Sequence, residues 1–469
     1  MSKVLLNSLF ILLLATIISI CDTGCANIIP PGGGARDTIP PVLIASLPKD
    51  SATNVNTNRI ILTFNEYVEV KDAQQQLIVS PNPKQSPIVD YKLKNVTIKL
   101  RDSLEPNTTY SLNFGNAVKD VNEGNVAKNF TYVFSTGNTI DNNSFSGKVI
   151  LAETGKTDST LIVTLYNILN DTAVVKTNPR YYARLDNKGR FVFKHLPKGT
   201  FNAFVIENGY EKKYNDSLKM FGFLDHTVEV SDSTKAETFY AYQEAKKKEK
   251  QGSASSNIGQ PRNNKSGDNR LRFTTSLDNG QQDLIKSFQL EFNRQLKKID
   301  SARIILTDTF YKPISGYVFT VDSTKTKITF SYNWKEEKQF RVIIPKDAVA
   351  DTNNVGLLKS DTLKFITKKE TDYGSLRLRF VNIDISKKPV LQFMQQDKII
   401  EAVPLTRNEF NRKLIKPGDY EISILFDTNG NGIWDAGSYK LKRQPEIVQQ
   451  VPKKVVVKAN WENEVTINL

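Results

Sequence analysis

The residues best spaced for chemistry lie late in the chain, in Phe426-Asp427-Thr428-Asn429-Gly430-Asn431-Gly432-Ile433-Trp434-Asp435. Oxygen-bearing side chains fall at alternate positions, Asp427, Asn429 and Asn431. Gly432 supplies a sharp turn, the carbonyl of Ile433 follows, and Asp435 takes the ninth place. This is the ligand spacing of a calcium loop, in which hard oxygen donors surround a hard cation. The twelfth place holds Ser438 rather than a bidentate Glu, and only two carboxylates are present. The spacing therefore predicts weak Ca2+ binding at most, with Kd ~10⁻⁴ to 10⁻³ M. The same residues also suit a hairpin turn, for which Asn-Gly pairs supply the required positive φ, and the spacing does not choose between the two. In the earlier stretch that aligns with this one, Asn208 and Asn215 stand opposite Asp427 and Asp435, and no ion is expected there.

Other chemistry is sparse. His195 and His226 are the only histidines, and neither has a metal-ligand neighbour at useful spacing. The two cysteines, Cys21 and Cys25, both lie near the start of the chain, which leaves the body without a disulfide framework, a thiol metal site or a cysteine nucleophile. No serine sits in a nucleophile-elbow motif, and no phosphate-binding glycine loop precedes a helix. The expectation is a protein that is not an enzyme. Tyr181, Tyr182, Trp334 and Trp461 would be available to stack on sugars if exposed, while core packing accounts for them equally well.

Cys25 carries a different kind of chemistry. The apolar run from Val4 to Ile20 is interrupted by Asn7, Ser8, Thr16 and Ser19, short of the ~20 apolar residues that a membrane span requires. With Lys3 before it and small residues after it, the run reads as a secretory signal. The junction Gly24-Cys25-Ala26 resembles a bacterial lipoprotein signal, in which the cysteine thiol takes a diacylglycerol and cleavage exposes its amine. Asp22 departs from the Leu or Val usual at that place, and the rival Cys21 follows a bulky Ile20. The resemblance implies a signal peptide over 1–24, a lipid and palmitate anchor at Cys25, a Pro/Gly tether over 25–37, and an outer-membrane location. The side of the membrane stays open, since Ala26-Asn27-Ile28 carries no acidic export signal.

The net charge of +14 would suit nucleic acid, but an exported, anchored chain rarely meets any, so no nucleic-acid partner is expected. An anionic glycolipid, peptidoglycan or an acidic protein is the natural counterpart. Most lysines are instead spread along strand-like segments, where they solvate faces and protect edges. At 469 residues with 39% hydrophobic content, the chain is long enough for three or four domains, each with its own core.

These chemical groups must be positioned by short strands. Ile60, Leu62 and Phe64 alternate on one face, as do Val96, Ile98 and Leu100, then Tyr110, Leu112 and Phe114, then Tyr132 and Phe134, with turn residues between the runs. This spacing predicts an all-β chain of sandwich type.

Asp37-Thr38-Ile39-Pro40-Pro41, Leu62-Thr63-Phe64-Asn65-Glu66, Leu104-Glu105-Pro106-Asn107-Thr108-Thr109-Tyr110 and Ala117-Val118-Lys119-Asp120 leading to Phe134-Ser135-Thr136 together resemble the bacterial Ig-like domain of surface-layer proteins and Bacteroidota lipoproteins, over 38–137. The phrase Gly189-Arg190-Phe191-Val192-Phe193-Lys194-His195-Leu196-Pro197-Lys198-Gly199 resembles the prealbumin-like sandwich of carboxypeptidase-regulatory and collagen-adhesin modules, over 144–243. Glu244 to Asn269 carries Lys, Gly, Ser, Asn and Gln with hardly an apolar residue, which reads as a basic linker over 244–270.

The plan then repeats. Leu290-Glu291-Phe292-Asn293 echoes Leu62 to Asn65, and Ala348-Val349-Ala350-Asp351 echoes Ala117 to Asp120, giving a second Ig-like domain over 271–368. Phe410, Ile415, Gly418, Tyr420 and Ile424 match Phe191, Leu196, Gly199, Phe201 and Val205, giving a second prealbumin-like sandwich over 373–469. The expected order is four tandem sandwiches, A-B-linker-A-B, forming two arms joined at a hinge.

Such modules serve as spacers and docking surfaces. The expected role is a lipid-anchored envelope scaffold or binding arm with an envelope protein partner. An accessory subunit of an outer-membrane assembly or secretion machine is one alternative, and a carbohydrate-binding or glycan-processing surface protein is another.

Overall fold

The computed structural model describes residues 36–245 and 270–469, together with Phe10 and Leu12. The expected anchor Cys25, the signal segment 1–24 apart from Phe10 and Leu12, and most of 244–270 lie outside the described residues. The chain divides into two compact units, 1–141 and 142–469, and nearly all of its regular structure is β.

In the first unit the alternation of Arg59–Phe64 buries Ile60, Leu62 and Phe64 completely. This strand is the second of a four-stranded antiparallel sheet, between Leu43–Leu47 and Asn95–Lys99, with Ile88–Lys92 beyond. A three-stranded sheet of Ile78–Ser80, Thr109–Asn113 and Thr131–Ser135 contributes Leu112, Tyr132 and Phe134 to the same core. Tyr110 stacks on Phe134 at 5.1 Å, and its hydroxyl accepts the Glu105 N–H at 2.8 Å, so the Leu-Glu-Pro turn is held by the strand that follows it. A short ribbon, Val68–Val70 against Val118–Asp120, closes one end.

Three of the interior clusters of the second unit follow one another in chain order. The first gathers Phe145, Val149, Leu161, Val163, Phe191, Phe201, Val205 and Phe239. The next gathers Phe288, Leu290, Ile328, Phe330, Trp334, Val342 and Phe365. The last gathers Leu376, Leu378, Phe393, Phe410, Tyr420 and Ile424. The first and last are built alike. Asn143–Leu151 runs parallel to Glu237–Gln243, and Gly374–Val381 runs parallel to Glu462–Asn468. Phe191, Leu196, Phe201 and Val205 are buried, and so are their counterparts Phe410, Ile415, Tyr420 and Ile424. At Gly147 the approach of the parallel strand is so close that an added Cβ would lie 2.0 Å from the Glu237 carbonyl oxygen.

One feature departs from the expectation of two arms joined at a hinge. Leu161–Tyr166 is buried at every position. Its second face is covered by an apolar cluster containing Ile162, Tyr166, Phe204, Phe221, Phe223 and Tyr242, against which pack Trp434, Ala436 and Tyr439 from the far end of the chain. Residues 142–245 and 373–469 therefore pack directly on one another, in place of the expected hinge between two arms. Of the two readings open for Tyr181 and Trp334, core packing is the one observed. Tyr181 is 4% exposed with its ring edge-on to Phe201, and Trp334 is 5% exposed and donates its indole N–H to the Lys286 carbonyl at 3.0 Å.

Candidate functional site

The strand Gly418–Phe426 hands the chain to a long loop that returns at Ile447–Gln450. The first residue of the loop, Asp427, is 2% exposed. A carboxylate in that position is costly unless hydrogen-bonded, and the loop folds around it. Its Oδ1 accepts the N–H of Gly430 at 2.6 Å and of Asn431 at 3.2 Å, and its Oδ2 accepts the N–H of Gly432 at 2.6 Å. Gly430 and Gly432 take φ of 78° and 81°, a region that glycine enters without a Cβ penalty. The side-chain amides of Asn429 and Asn431 both donate to Asp435 Oδ2, at 2.6 and 2.7 Å. Asp427, Asn429, Asn431 and Asp435 thus belong to a single closed loop. Ile433, whose carbonyl the spacing nominated, is anchored through its N–H to Asn431 Oδ1 at 2.8 Å.

The structure adds a residue that the spacing missed. Glu446 is 7% exposed. Its Oε1 accepts the Thr428 N–H at 2.9 Å and the Thr428 hydroxyl at 3.0 Å, while its Oε2 accepts the Asp435 N–H at 3.1 Å. The Trp434 indole N–H reaches the Glu446 carbonyl at 2.7 Å. The donor set is all oxygen and so suits a hard cation in kind. Among the described residues no three His, Cys, Asp or Glu side chains gather as a metal-holding group, so the amide oxygens of Asn429 and Asn431 would have to complete any such set.

The other buried carboxylates are similarly engaged. Asp120 accepts the N–H groups of Glu123, Gly124 and Asn125 at 2.6, 3.0 and 2.7 Å. Burial raises its pKa, and these bonds outweigh that effect and hold it below the ordinary aspartate value. Asp351, in the stretch that echoes Ala117 to Asp120, caps its own loop through Asn353 and Val355 and also pairs with Arg294 at 3.1 Å. The place of Arg294 is taken in the first repeat by Glu66, whose pKa is raised by burial first and then by Asp120, Asp37 and Glu123. Asp283 accepts the Tyr373 hydroxyl at 2.7 Å and the Ile285 N–H at 3.1 Å, and pairs with the Lys416 ammonium. Of the other residues weighed for binding, Trp461 is exposed with Lys458 lying 4.8 Å from its ring centroid, and His226 pairs with Glu237 at 3.2 Å on the surface.

Residues 37–136 match the family model of the bacterial Ig-like domain. No curated protein matches the sequence. Among solved structures, the chain is similar to the TIE protein of Bacillus anthracis, with 10% identity over 94% of this chain and 76% of that one and a TM-score of 0.16. It is similar to BcpA, the major pilin subunit of Bacillus cereus, with 10% identity over 69% of this chain and 99% of that one and a TM-score of 0.17. It is also similar to an L,D-transpeptidase from Mycobacterium smegmatis, with 13% identity over 42% of this chain and 77% of that one and a TM-score of 0.16. Likenesses at such TM-scores carry no argument about this chain. What stands is a nearly all-β protein of several sheets. Its first unit carries a bacterial Ig-like domain.

Proposed function

We propose that the protein is a non-enzymatic lipoprotein of the outer membrane, anchored through Cys25, in which four sandwiches in A-B-linker-A-B order form an envelope scaffold or binding arm. What carries this reading is the use made of buried charge. Asp120, Asp283, Asp351, Asp427 and Glu446 are the buried carboxylates among the described residues, and each holds its own loop or a neighbouring element in place. Carboxylates engaged in this way act as internal staples, which suits a spacer that must keep its shape. The bacterial Ig-like match over 37–136 agrees with that role.

Two measurements test the reading. Labelling with a radioactive fatty acid should mark wild type and Cys21→Ser but not Cys25→Ser, and label retained by Cys25→Ser would remove the anchor. Purification from detergent-solubilised membranes should recover an envelope protein partner. A stoichiometric β-barrel would place the chain in an assembly or secretion machine instead of a free-standing arm.

A further inference from the structure

The 427–446 loop also acts at a distance from its own turn. Its second half lies on the outer face of the sheet made by Leu161–Tyr166, Gly199–Glu207, Met220–Phe223 and Glu237–Gln243. The Tyr439 ring sits 5.0 to 5.6 Å from the rings of Phe204, Phe221 and Phe223. Gly437 passes so close beneath Tyr242 that an added Cβ would lie 2.6 Å from its Cζ. Polar fixings ring this contact. The Tyr439 N–H donates to Glu244 Oε1 at 2.5 Å, and its hydroxyl donates to the Asp171 carbonyl at 2.9 Å. The Gln444 amide donates to the Phe223 carbonyl at 3.1 Å and to Asp225 Oδ1 at 2.8 Å. Lys442 pairs with Asp171 at 2.6 Å, and the Val448 N–H donates to the Ala152 carbonyl at 2.8 Å.

A strand with one face on water alternates apolar and polar residues. Leu161-Ile162-Val163-Thr164-Leu165-Tyr166 and Phe201-Asn202-Ala203-Phe204-Val205-Ile206 do not, and the face left over by the sandwich core is the one that Tyr439 covers. Exposed, that face would be a sticky apolar patch. Its composition is thus matched to a permanent cover carried by the same chain.

We propose that residues 434–446 are a latch that joins 143–245 and 373–469 into one rigid body, held by this contact in addition to the covalent path through 246–372. The latch does not depend on where the chain is anchored or what it binds. The body it defines transmits load or a partner's position from the second sandwich straight to the last.

The test uses the full chain with a site-specific protease sequence inserted after Gly252 and cleaved to completion. Gel filtration with native mass measurement at micromolar concentration is expected to show both fragments in a single species with the mass of the uncut chain. Fragments that elute separately would overturn the proposal. In the cut protein, Tyr439→Ala is expected to weaken the association at least tenfold by emptying the aromatic seat, and Gln444→Ala several-fold by removing the bonds to the Phe223 carbonyl and Asp225. Association unchanged in both variants would show that another surface holds the halves together and would refute the latch. Should Tyr439→Ala not fold, Gln444→Ala, which leaves every ring of the seat in place, is decisive by itself.

Discussion

Replacing Asp283 by Asn should weaken the second unit in a way that depends on pH. Asp283 is 8% exposed and joins three groups, the Tyr373 hydroxyl at 2.7 Å, the Ile285 N–H at 3.1 Å and the Lys416 ammonium. Tyr373 in turn accepts the Leu284 N–H at 2.9 Å, so the carboxylate ties 283–285 to residues of the last sandwich. Asn keeps the shape and one acceptor oxygen but not the charge. Removing one partner of a buried ion pair costs about 3–5 kcal/mol, and a hydrogen bond to a charged group contributes about 1.5–3 kcal/mol. The Lys416 side chain is 42% exposed and can rehydrate, which favours the lower figure, so a loss of about 2 kcal/mol is expected at pH 7. By calorimetry this corresponds to a fall of roughly 4–8 °C in the transition of that region.

The pH dependence supplies an independent check. Burial raises the Asp283 carboxyl, and the bonds from Lys416 and Tyr373 outweigh it, leaving the group below its ordinary value. A carboxyl depressed in the folded state contributes stability above its unfolded value of ~3.9 and loses it as pH falls through the folded value. Wild type and Asp283→Asn should therefore converge as the pH falls through the depressed folded value of Asp283. A change under ~0.5 kcal/mol at pH 7, or a gap unaltered in acid, would refute the reasoning.

Three further outcomes are expected. Glu66→Arg should stabilise the first unit by about 0.5–1 kcal/mol, because it recreates beside Asp120 the pairing that Arg294 makes with Asp351; urea denaturation that shows no gain would sink the analogy. In wild type the raised Glu66 group means that the folded form binds its proton more tightly, so its contribution to stability falls as pH rises past the ordinary glutamate value, and Glu66→Gln should remove that slope. If the 427–435 loop binds calcium at Kd ~10⁻⁴ to 10⁻³ M, 5 mM calcium should stabilise the full chain by about 1–2 kcal/mol and should do less in Asp435→Asn. Terbium luminescence excited through the adjacent Trp434 would report the same site, and no emission or melting shift would leave the loop a turn.

The periodicity of single segments determined much of this protein. Ile60, Leu62 and Phe64, or Phe288 and Leu290, bury wherever a two-residue alternation places them, because a strand offers one face to a core whatever its partner is. Phe191 and Phe410, which the sequence pairs, are both buried for the same reason, since they meet the same local demand. The 427–435 loop was also legible, because Asx side chains and glycines at fixed offsets shape their own backbone.

Only the tertiary structure decided what those segments meet. Glu446 enters the loop from 11 residues beyond Asp435, and Tyr439 seats on Phe204, Phe221 and Phe223. Tyr181 and Trp334 are buried where an exposed ring was an equally fair reading of their type, and Lys416 finds Asp283 across two cores. A local pattern specifies that a face must be covered, or that a charge must be paired, but the partner is set by how finished sheets pack. That choice is made between surfaces far apart in the chain, such as Phe204 and Tyr439, and no local pattern records it.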